Sequence, residues 1–169
     1  MLLLAASAAL YVSAPRPLAA FDAELRALYV RGEGGWTLLA REGRSTYARD
    51  RLGAMLGIAP IVAERLPSPS GCNEELCMID GEGGASFALV RAELGFEGAC
   101  VAGAIVLTRL LAPGGYSERC GLRALVDAES LARQGGAMIY RAHERFRIER
   151  SLKSGTARPW TPRGATAQE

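Results

Sequence analysis

The sequence predicts a mixed α/β (α+β) domain in which a sheet built of hairpins is flanked by helices. Three patterns lead to this prediction. Short apolar runs are paired around glycine-rich turns, one segment repeats its apolar residues at helical spacing, and one apolar run is continuous, as in a fully buried strand. The chain has 169 residues, 49% hydrophobic and 22% charged, which suits one ordinary folded domain.

Three hairpins are expected along the chain. Their strand pairs are residues 24–30 with 36–41, residues 76–80 with 86–90, and residues 137–141 with 145–150. Glycine-rich turns join the first two pairs, as tight connections between antiparallel strands require. The likeness of these two hairpins predicts that they belong to one continuous antiparallel sheet.

The segments between the hairpins predict helices, a loop and further strands. The predicted helices cover residues 46–56, 93–99 and 128–134, and the predicted strands cover residues 103–108 and 122–126. The first helix ends at Gly57, and the last begins after Asp127, a favoured N-cap residue. Three prolines make residues 58–70 a connecting loop that can include a short extended piece.

The N-terminal 14 residues are uncharged and mostly apolar, and this run stops at Pro15-Arg16-Pro17. It is shorter than the roughly 20 residues that span a bilayer. Its length suits a signal-peptide core, but no Lys or Arg precedes Arg16, and a buried helix of a soluble domain is a further alternative. We interpret residues 1–17 as the end of a transmembrane helix and linker, with residues 2–14 embedded in the membrane. Residues 18–150 are the folded domain and residues 151–169 a polar tail.

The four cysteines test whether the domain lies in an oxidising compartment. Cys72 and Cys77 enclose four residues, while Cys100 and Cys120 flank a predicted strand and its following loop. Disulfides, free buried thiols and a zinc site are the alternatives. Zinc would need Cys-x2-Cys pairs or nearby histidines, and the one histidine is the distant His143. Because each pair is local in sequence, we predict Cys72–Cys77 and Cys100–Cys120 bridges.

Several short segments, taken in order, carry a resemblance to a known family. They are Arg49-Asp50-Arg51-Leu52, Gly71-Cys72, Cys77, Cys100 before Ile105-Val106-Leu107, Pro113, Cys120, Leu131-Ala132-Arg133-Gln134-Gly135-Gly136-Ala137-Met138-Ile139 and Arg158-Pro159-Trp160. In this order and spacing the chain resembles, over residues 25–160, the C-terminal extracytoplasmic domain of ComEC-type competence proteins. These are inner-membrane channels that take up single-stranded DNA in natural transformation. The resemblance implies a long membrane-embedded portion before Met1.

The resemblance also implies a shortened metallo-β-lactamase-like fold with αββα layers. Hydrolases of that fold bind two metal ions through a His-x-His-x-Asp-His cluster. This chain has no His-x-His, and Thr108 and Arg109 stand where the family can place a Ser-Asp pair. We therefore expect a non-catalytic domain without metal, cofactor or small-molecule substrate, in the bacterial inner membrane and facing the periplasm.

The best nucleic-acid candidates are four arginines of the last predicted hairpin, namely Arg141, Arg145, Arg147 and Arg150. Alternate residues of a strand share a face, so three of them could form a basic stripe that contacts single-stranded DNA. The nearby Glu144 and Glu149 partly neutralise this positive charge. The alternative to a DNA contact is an ordinary polar face exposed to solvent. The formal net charge of +2 also falls short of the strongly basic balance of a dedicated DNA-binding protein.

Other residues that could carry chemistry have ordinary structural explanations. His143 lies in a predicted turn, no serine has a partner histidine near it in the sequence, and the glycine-rich turns lack the phosphate-loop pattern. The function expected from the sequence is thus a non-catalytic, membrane-attached domain of a DNA-uptake channel. The rivals are a small secreted or membrane-anchored envelope protein with a structural or binding role, and a nuclease with unconventional ligands.

Overall fold

The computed structural model describes residues 16–40, 46–142 and 145–151 of the chain. The nine strands within these residues are β1 (Pro17–Phe21), β2 (Ala27–Gly32), β3 (Gly35–Ala40), β4 (Leu76–Gly81), β5 (Ala85–Val90), β6 (Ile105–Thr108), β7 (Ala124–Val126), β8 (Ala137–Ala142) and β9 (Arg145–Arg150). The helices there are α1 (Thr46–Met55), α2 (Pro60–Ala63), α3 (Gly95–Gly98), α4 (Tyr116–Arg119) and α5 (Ala128–Gln134), with one 3-10 turn at Glu82–Gly84. The α+β class predicted from the sequence is confirmed.

The strands form two sheets. The hairpin sheet has the order β3-β2-β1-β8-β9 and is antiparallel throughout. The mixed sheet has the order β4-β5-β6-β7, in which only the β4–β5 pair is antiparallel. Parallel pairing needs a crossover between consecutive strands, and α3 and α4 lie in the β5–β6 and β6–β7 connections.

The two sheets pack face to face, and each buries one apolar face against the other sheet. Side chains from both sheets form a single cluster, including Phe21 and Ile139 of the hairpin sheet and Phe87, Ile105 and Leu107 of the mixed sheet. All five are at most 1% exposed to solvent. Burial of this apolar surface is the main driving force that holds the sheets together.

Helices cover the outer faces of both sheets. The outer face of the hairpin sheet packs Tyr29 and Leu38 against Leu52 of α1 and Ala63 of α2. The outer face of the mixed sheet, which includes Val106, packs against Phe96 of α3 and Tyr116 of α4. The described part of the chain therefore has four layers in the order helices, sheet, sheet, helices.

Buried tyrosines anchor each helical layer through one hydrogen bond. The Tyr29 hydroxyl donates to the Arg49 carbonyl of α1 at 3.0 Å, and the Tyr116 hydroxyl donates to the Phe96 carbonyl at 2.6 Å. Burial raises the pKa of both hydroxyls above the ordinary tyrosine value. Each hydroxyl thus stays protonated and keeps its donor role.

Most elements agree with the sequence prediction, but the expected single antiparallel sheet is wrong. The first two hairpins lie in different sheets, because β2 pairs with β1 whereas β5 pairs in parallel with β6. Alternating apolar residues specify a strand with one buried face, and this pattern does not say which sheet receives the strand. Two short helices were also missed: α2 lies within the predicted loop of residues 58–70, and α4 follows Gly115.

The strand β1 was missed as well, although it is central to the hairpin sheet. It pairs with both β2 and β8, and Ala19 and Ala20 are fully buried. Strand β1 begins at Pro17, one residue before the predicted start of the domain. The predicted membrane segment, residues 2–14, lies outside the described residues. Over residues 16–40, 46–142 and 145–151, no helix has both the length and the apolar character to span a bilayer.

Two arginines of the hairpin sheet hold the β4–β5 turn of the mixed sheet. Arg31 Nε lies 2.5 Å from Glu82 Oε2, and Arg141 Nη2 donates to the Gly83 carbonyl at 2.8 Å. Gly83 has a φ of 68°, in the left-handed region that favours glycine. These contacts join the two sheets at an exposed edge, where the buried core does not reach.

The predicted disulfides are present. Cys72 is bonded to Cys77 and Cys100 is bonded to Cys120. The first bridge closes a loop at the start of β4, where Asn73 Oδ1 accepts hydrogen bonds from the backbone N–H groups of Glu75 and Leu76. The second bridge joins the ends of α3 and α4 across the β6 segment.

We expect Gly136→Ala to destabilise the domain by about 1–3 kcal/mol, because it would overpack a tight backbone contact. A Cβ atom at Gly136 would lie 2.4 Å from the Phe21 carbonyl oxygen and 3.0 Å from the Ala23 backbone nitrogen. Neither atom can move without shifting the end of β1. Equilibrium unfolding in urea measures the difference.

Gly34→Ala is the matched control, since a Cβ atom there meets no atom within 4 Å. This control should change the free energy of unfolding by less than about 0.5 kcal/mol. Equal effects of the two substitutions would contradict the proposed close approach of residue 136 to β1.

Candidate binding surface

The four predicted DNA-contacting arginines lie on β8 and β9, the last hairpin. The register pairs Arg147 with Tyr140, Arg145 with Ala142 and Arg150 with Ala137. Partners that face each other across antiparallel strands point to the same side of the sheet. The structure therefore divides the four arginines between the two faces of the hairpin and does not align them in one stripe.

Arg145 and Arg147 lie on the outer face, which is the face that α1 and α2 cover elsewhere in the sheet. The Arg147 guanidinium carbon lies 5.2 Å from the centre of the Tyr140 ring, within the range of a cation–π contact. Arg147 also pairs with Glu149 at 2.9 Å. Burial is the largest cause of a raised pKa at Tyr140, with a smaller contribution from Glu149. The outer face thus presents two exposed guanidinium groups beside a half-buried aromatic ring.

Arg141 and Arg150 lie on the inner face and have other surroundings. Arg141 contacts the Gly83 carbonyl of the mixed sheet, as described above. Arg150 is half-buried, and burial lowers its pKa, an effect that the nearby Asp127 carboxylate partly offsets. These two arginines are therefore integrated into the fold, and only Arg145 and Arg147 form a shared exposed pair.

A groove opens beside the hairpin, at the end of the sheet where β1 stops and β8 starts. We call it the end groove, and it is lined by Phe21, Asp22, Ala23, Glu24, Arg26, Tyr47, Ala48, Arg51, Leu52, Met55, Gly136, Ala137, Met138, Glu149, Arg150 and Ser151. Its volume of about 570 Å³ falls in the range of ordinary small-molecule sites. Helix α1 forms one wall, and the start of β8 together with the end of β9 forms another.

The α1 wall of the end groove exposes unusually large apolar side chains. Tyr47 is 74% exposed and Met55 is 61% exposed. Arg51, between them on the same helix, donates a hydrogen bond to the Tyr47 hydroxyl at 3.0 Å. Positions 47, 51 and 55 are four residues apart and therefore share one face of α1. This face is apolar with one cation, and among the described residues nothing packs over it.

Other residues considered in the sequence analysis either lie apart from the groove and the hairpin face or fall outside the described residues. Thr108 is fully buried, and its hydroxyl oxygen accepts a hydrogen bond from the Leu110 backbone N–H at 3.0 Å. Arg109 is exposed. His143 and Trp160 lie outside the described residues. Within residues 16–40, 46–142 and 145–151, no group of three or more His, Cys, Asp or Glu side chains is placed to hold a metal ion.

The end groove was not foreseen from the sequence. Its walls come from β1, α1, β8 and β9. More than 80 residues of chain lie between α1 and β8. The available signal was the apolar Tyr47 and Met55 on the same face of the predicted helix. The structure buries Leu52 and Gly53 of that helix, whereas Tyr47 and Met55 are exposed.

Comparison of the chain with protein-family models, with curated proteins and with solved structures finds no match.

Proposed function

We propose that this chain is the non-catalytic extracytoplasmic domain of a ComEC-type DNA-uptake channel, and that it contacts the incoming single strand. The observation that carries the proposal is the four-layer order of helices, sheet, sheet and helices. This is the αββα order that the sequence resemblance implies for the domain. The resemblance and the layer order are independent, since one uses short motifs and the other uses packing.

The two disulfides support a periplasmic location. Structural disulfides form and persist in oxidising compartments and are rare in the cytosol. Cys77 and Cys120 are buried, and their bridges lie at the ends of regular elements. The same bridges fit the rival function, a small secreted or membrane-anchored envelope protein. In-frame coding sequence for several membrane helices directly upstream would favour the channel, whereas a separate start with its own export signal would favour the rival.

The non-catalytic role is proposed on chemical grounds. Rapid hydrolysis of a phosphodiester needs clustered metal ligands, or a nucleophile with a positioned base. The chain has one histidine, and two of its aspartates have local structural roles: Asp22 accepts from the Ala27 backbone N–H, and Asp127 caps α5. Incubation with labelled single- and double-stranded DNA in Mg²⁺, Mn²⁺ or Zn²⁺ should leave the DNA intact. Metal-dependent cleavage that is lost on substitution of a named acidic residue would contradict this role.

The outer face of β8 and β9 is the surface we propose for the strand. Arginine side chains can neutralise phosphates, and an aromatic ring gives a base a surface for stacking. Arg145 and Arg147 of β9 supply the charges, and Tyr140 of β8, which faces Arg147, supplies the ring. Glu149 partly neutralises Arg147, so the contact should be weak and sensitive to salt.

We expect Arg145→Ala/Arg147→Ala to weaken binding of a fluorescent single-stranded oligonucleotide. Loss of two phosphate contacts should reduce the slope of log affinity against log salt concentration by about 1.4, at about 0.7 for each contact on single strands. Fluorescence anisotropy over a series of salt concentrations gives both the affinity and the slope.

The matched control removes two exposed arginines elsewhere, in Arg119→Ala/Arg133→Ala on α4 and α5. This control has the same net charge as the test variant, so it separates a local contact from general electrostatic attraction. Equal losses of affinity and slope in the two double variants would rule out the hairpin face as the binding surface.

A further inference from the structure

We propose that two copies of this chain associate through the outer edge of β9. Their hairpin sheets would then join into one continuous antiparallel sheet about a two-fold axis at Ile148. The inference concerns the edge of β9, whereas the surface proposed for DNA is the outer face of the same hairpin. It does not depend on the proposed channel function.

The two sheets have four edge strands, and three of these edges are covered or very short. The Leu38 N–H of β3 donates to the Pro67 carbonyl at 3.2 Å. The segment before β4 covers that strand, where the Met78 N–H donates to the Gly71 carbonyl at 3.0 Å. Strand β7 has only three residues. Proteins commonly protect sheet edges in such ways, because a long uncovered edge is a template for pairing with another chain.

Strand β9 is the fourth edge, and it has neither form of protection. It is six residues long, and on one side it pairs with β8. On its other side, no backbone hydrogen bond reaches it from any part of the chain that the structure describes. The edge of β9 is therefore available for a further strand.

The hydrogen bonds to β8 show which backbone groups of β9 point outwards. The Ser151 N–H donates to the Gly136 carbonyl at 2.8 Å, in line with the register of the strand pair. In an antiparallel pair, hydrogen-bonded positions alternate with positions whose N–H and C=O groups point away from the partner strand. Counting back from Ser151, every second residue of β9 faces β8. The outward groups are therefore those of Phe146, Ile148 and Arg150.

A two-fold axis at Ile148 uses all of these outward groups. Antiparallel pairing of two β9 strands then places Ile148 opposite its own copy and Phe146 opposite Arg150 of the second copy. Each of these pairs forms two hydrogen bonds, because both members direct their N–H and C=O groups to the shared edge. An axis at Arg147 would leave the outward groups of Arg150 without a partner in the second β9 strand.

The exposed side chains of β9 are complementary in the same register. Arg147 of one copy lies opposite Glu149 of the other, and the two-fold axis repeats this pair. Opposite charges that face each other across antiparallel strands are stabilising, whereas like charges are destabilising. An axis at Arg147 would instead place this arginine opposite its own copy. Charge and hydrogen bonding therefore select the same axis.

The inner side of β9 also gains from the pairing. Phe146 and Ile148 pack against the cluster between the sheets but are only half-buried. The Ile148 side chain of a second copy would cover part of this exposed apolar surface. The contact is small compared with the interface of a permanent dimer, so we expect reversible association that depends on protein concentration.

The test is sedimentation velocity on the full, oxidised chain over a series of protein concentrations, where we expect a monomer–dimer equilibrium. Glu149→Arg places like charges opposite each other at two positions of the interface, and should weaken the dimer at least about tenfold. Arg147→Glu/Glu149→Arg restores opposite charges at the same positions, and should return the affinity to within about threefold of that of the unaltered chain. Thermal unfolding of each variant shows whether the fold is retained.

Glu118→Arg is the matched control, because it makes the same change of net charge at an exposed position on α4. It should leave the dimer affinity unchanged. Hydrogen exchange on the unaltered chain gives a second readout at the backbone. The N–H groups of Phe146, Ile148 and Arg150 should become more protected as the protein concentration rises.

The proposal is overturned if the chain stays monomeric at all concentrations, or if Glu149→Arg and Glu118→Arg dimerise equally well. It is also overturned if the double variant remains as weak as Glu149→Arg. Should a charge variant fail to fold, the exchange result decides. Protection of the outward N–H groups that does not change with concentration would show that the edge is covered within one chain, and would exclude a second copy as its partner.

Discussion

Phe87→Ala should reduce the free energy of unfolding by about 3–5 kcal/mol, the cost of removing a large aromatic side chain from a closed core. Phe87 is fully buried on β5, where it pairs with Ile79 of β4 and Ile105 of β6. Its side chain belongs to the cluster between the two sheets. Neighbouring side chains come from both sheets, so relaxation of one sheet alone cannot fill the cavity. Urea unfolding followed by circular dichroism measures the loss.

Phe146→Ala provides the control with the same side chain in a different environment. Phe146 lies on β9 at the edge of the hairpin sheet, is only half-buried, and has Arg123 over its ring at 5.3 Å. Its removal should cost about 1 kcal/mol. If the two substitutions destabilise the chain equally, the cluster between the sheets is not the main core.

The sequence predicted strands and turns well because each depends on nearby residues. Asp127 accepts the Ser130 backbone N–H at the start of α5, as an N-cap residue at that position should. Residues 105–108 are all buried, as their continuous apolar run predicted. Such features need only a few consecutive residues to specify them.

The division into two sheets could not be predicted in the same way. It depends on β1, a strand of five residues that pairs with β8 more than 110 residues later in the chain. Two of these five residues, Ala19 and Ala20, have low strand preference, so the segment had no local signal that distinguished it from a linker. Non-local pairing decided the topology, and single-sequence patterns do not contain it.

The candidate surfaces also depend on contacts between distant parts of the chain that the sequence alone does not reveal. The sequence predicted that three of the four arginines could share one face, because alternate residues of a strand face the same way. In the structure only Arg145 and Arg147 form an exposed pair on the outer face. The same alternation places Arg150 on the opposite face of β9, whereas the face of Arg141 on β8 depends on the β8–β9 register. The end groove depends on the approach of α1 to β8, and no spacing rule connects these two elements.

Replacing the long disulfide in Cys100→Ala/Cys120→Ala should destabilise the chain by about 3 kcal/mol, from the loop-closure entropy of a bridge between residues 20 apart. The bridge joins the ends of α3 and α4, each of four residues and too short to be stable alone. Its loss should therefore loosen the helical layer over the mixed sheet first. The change is measured as the free energy of unfolding in urea, and hydrogen exchange at Phe96 and Tyr116 reports the local effect.

The short bridge provides the comparison, because it closes a loop between residues only five apart. By the same entropy relation Cys72→Ala/Cys77→Ala should cost about 2 kcal/mol, less than the long bridge. It should leave exchange at Tyr116 of α4 unchanged, since the bridge lies at the start of β4. Helix α3 is not a control for this variant, because Gly95 lies against the Glu75 carbonyl within the loop that the bridge closes. If removal of the short bridge lowered the free energy of unfolding more than removal of the long bridge, chain entropy would not govern the stabilisation by these disulfides. Non-reducing peptide mapping of the exported protein checks the premise, and four free thiols would remove the basis for both expectations.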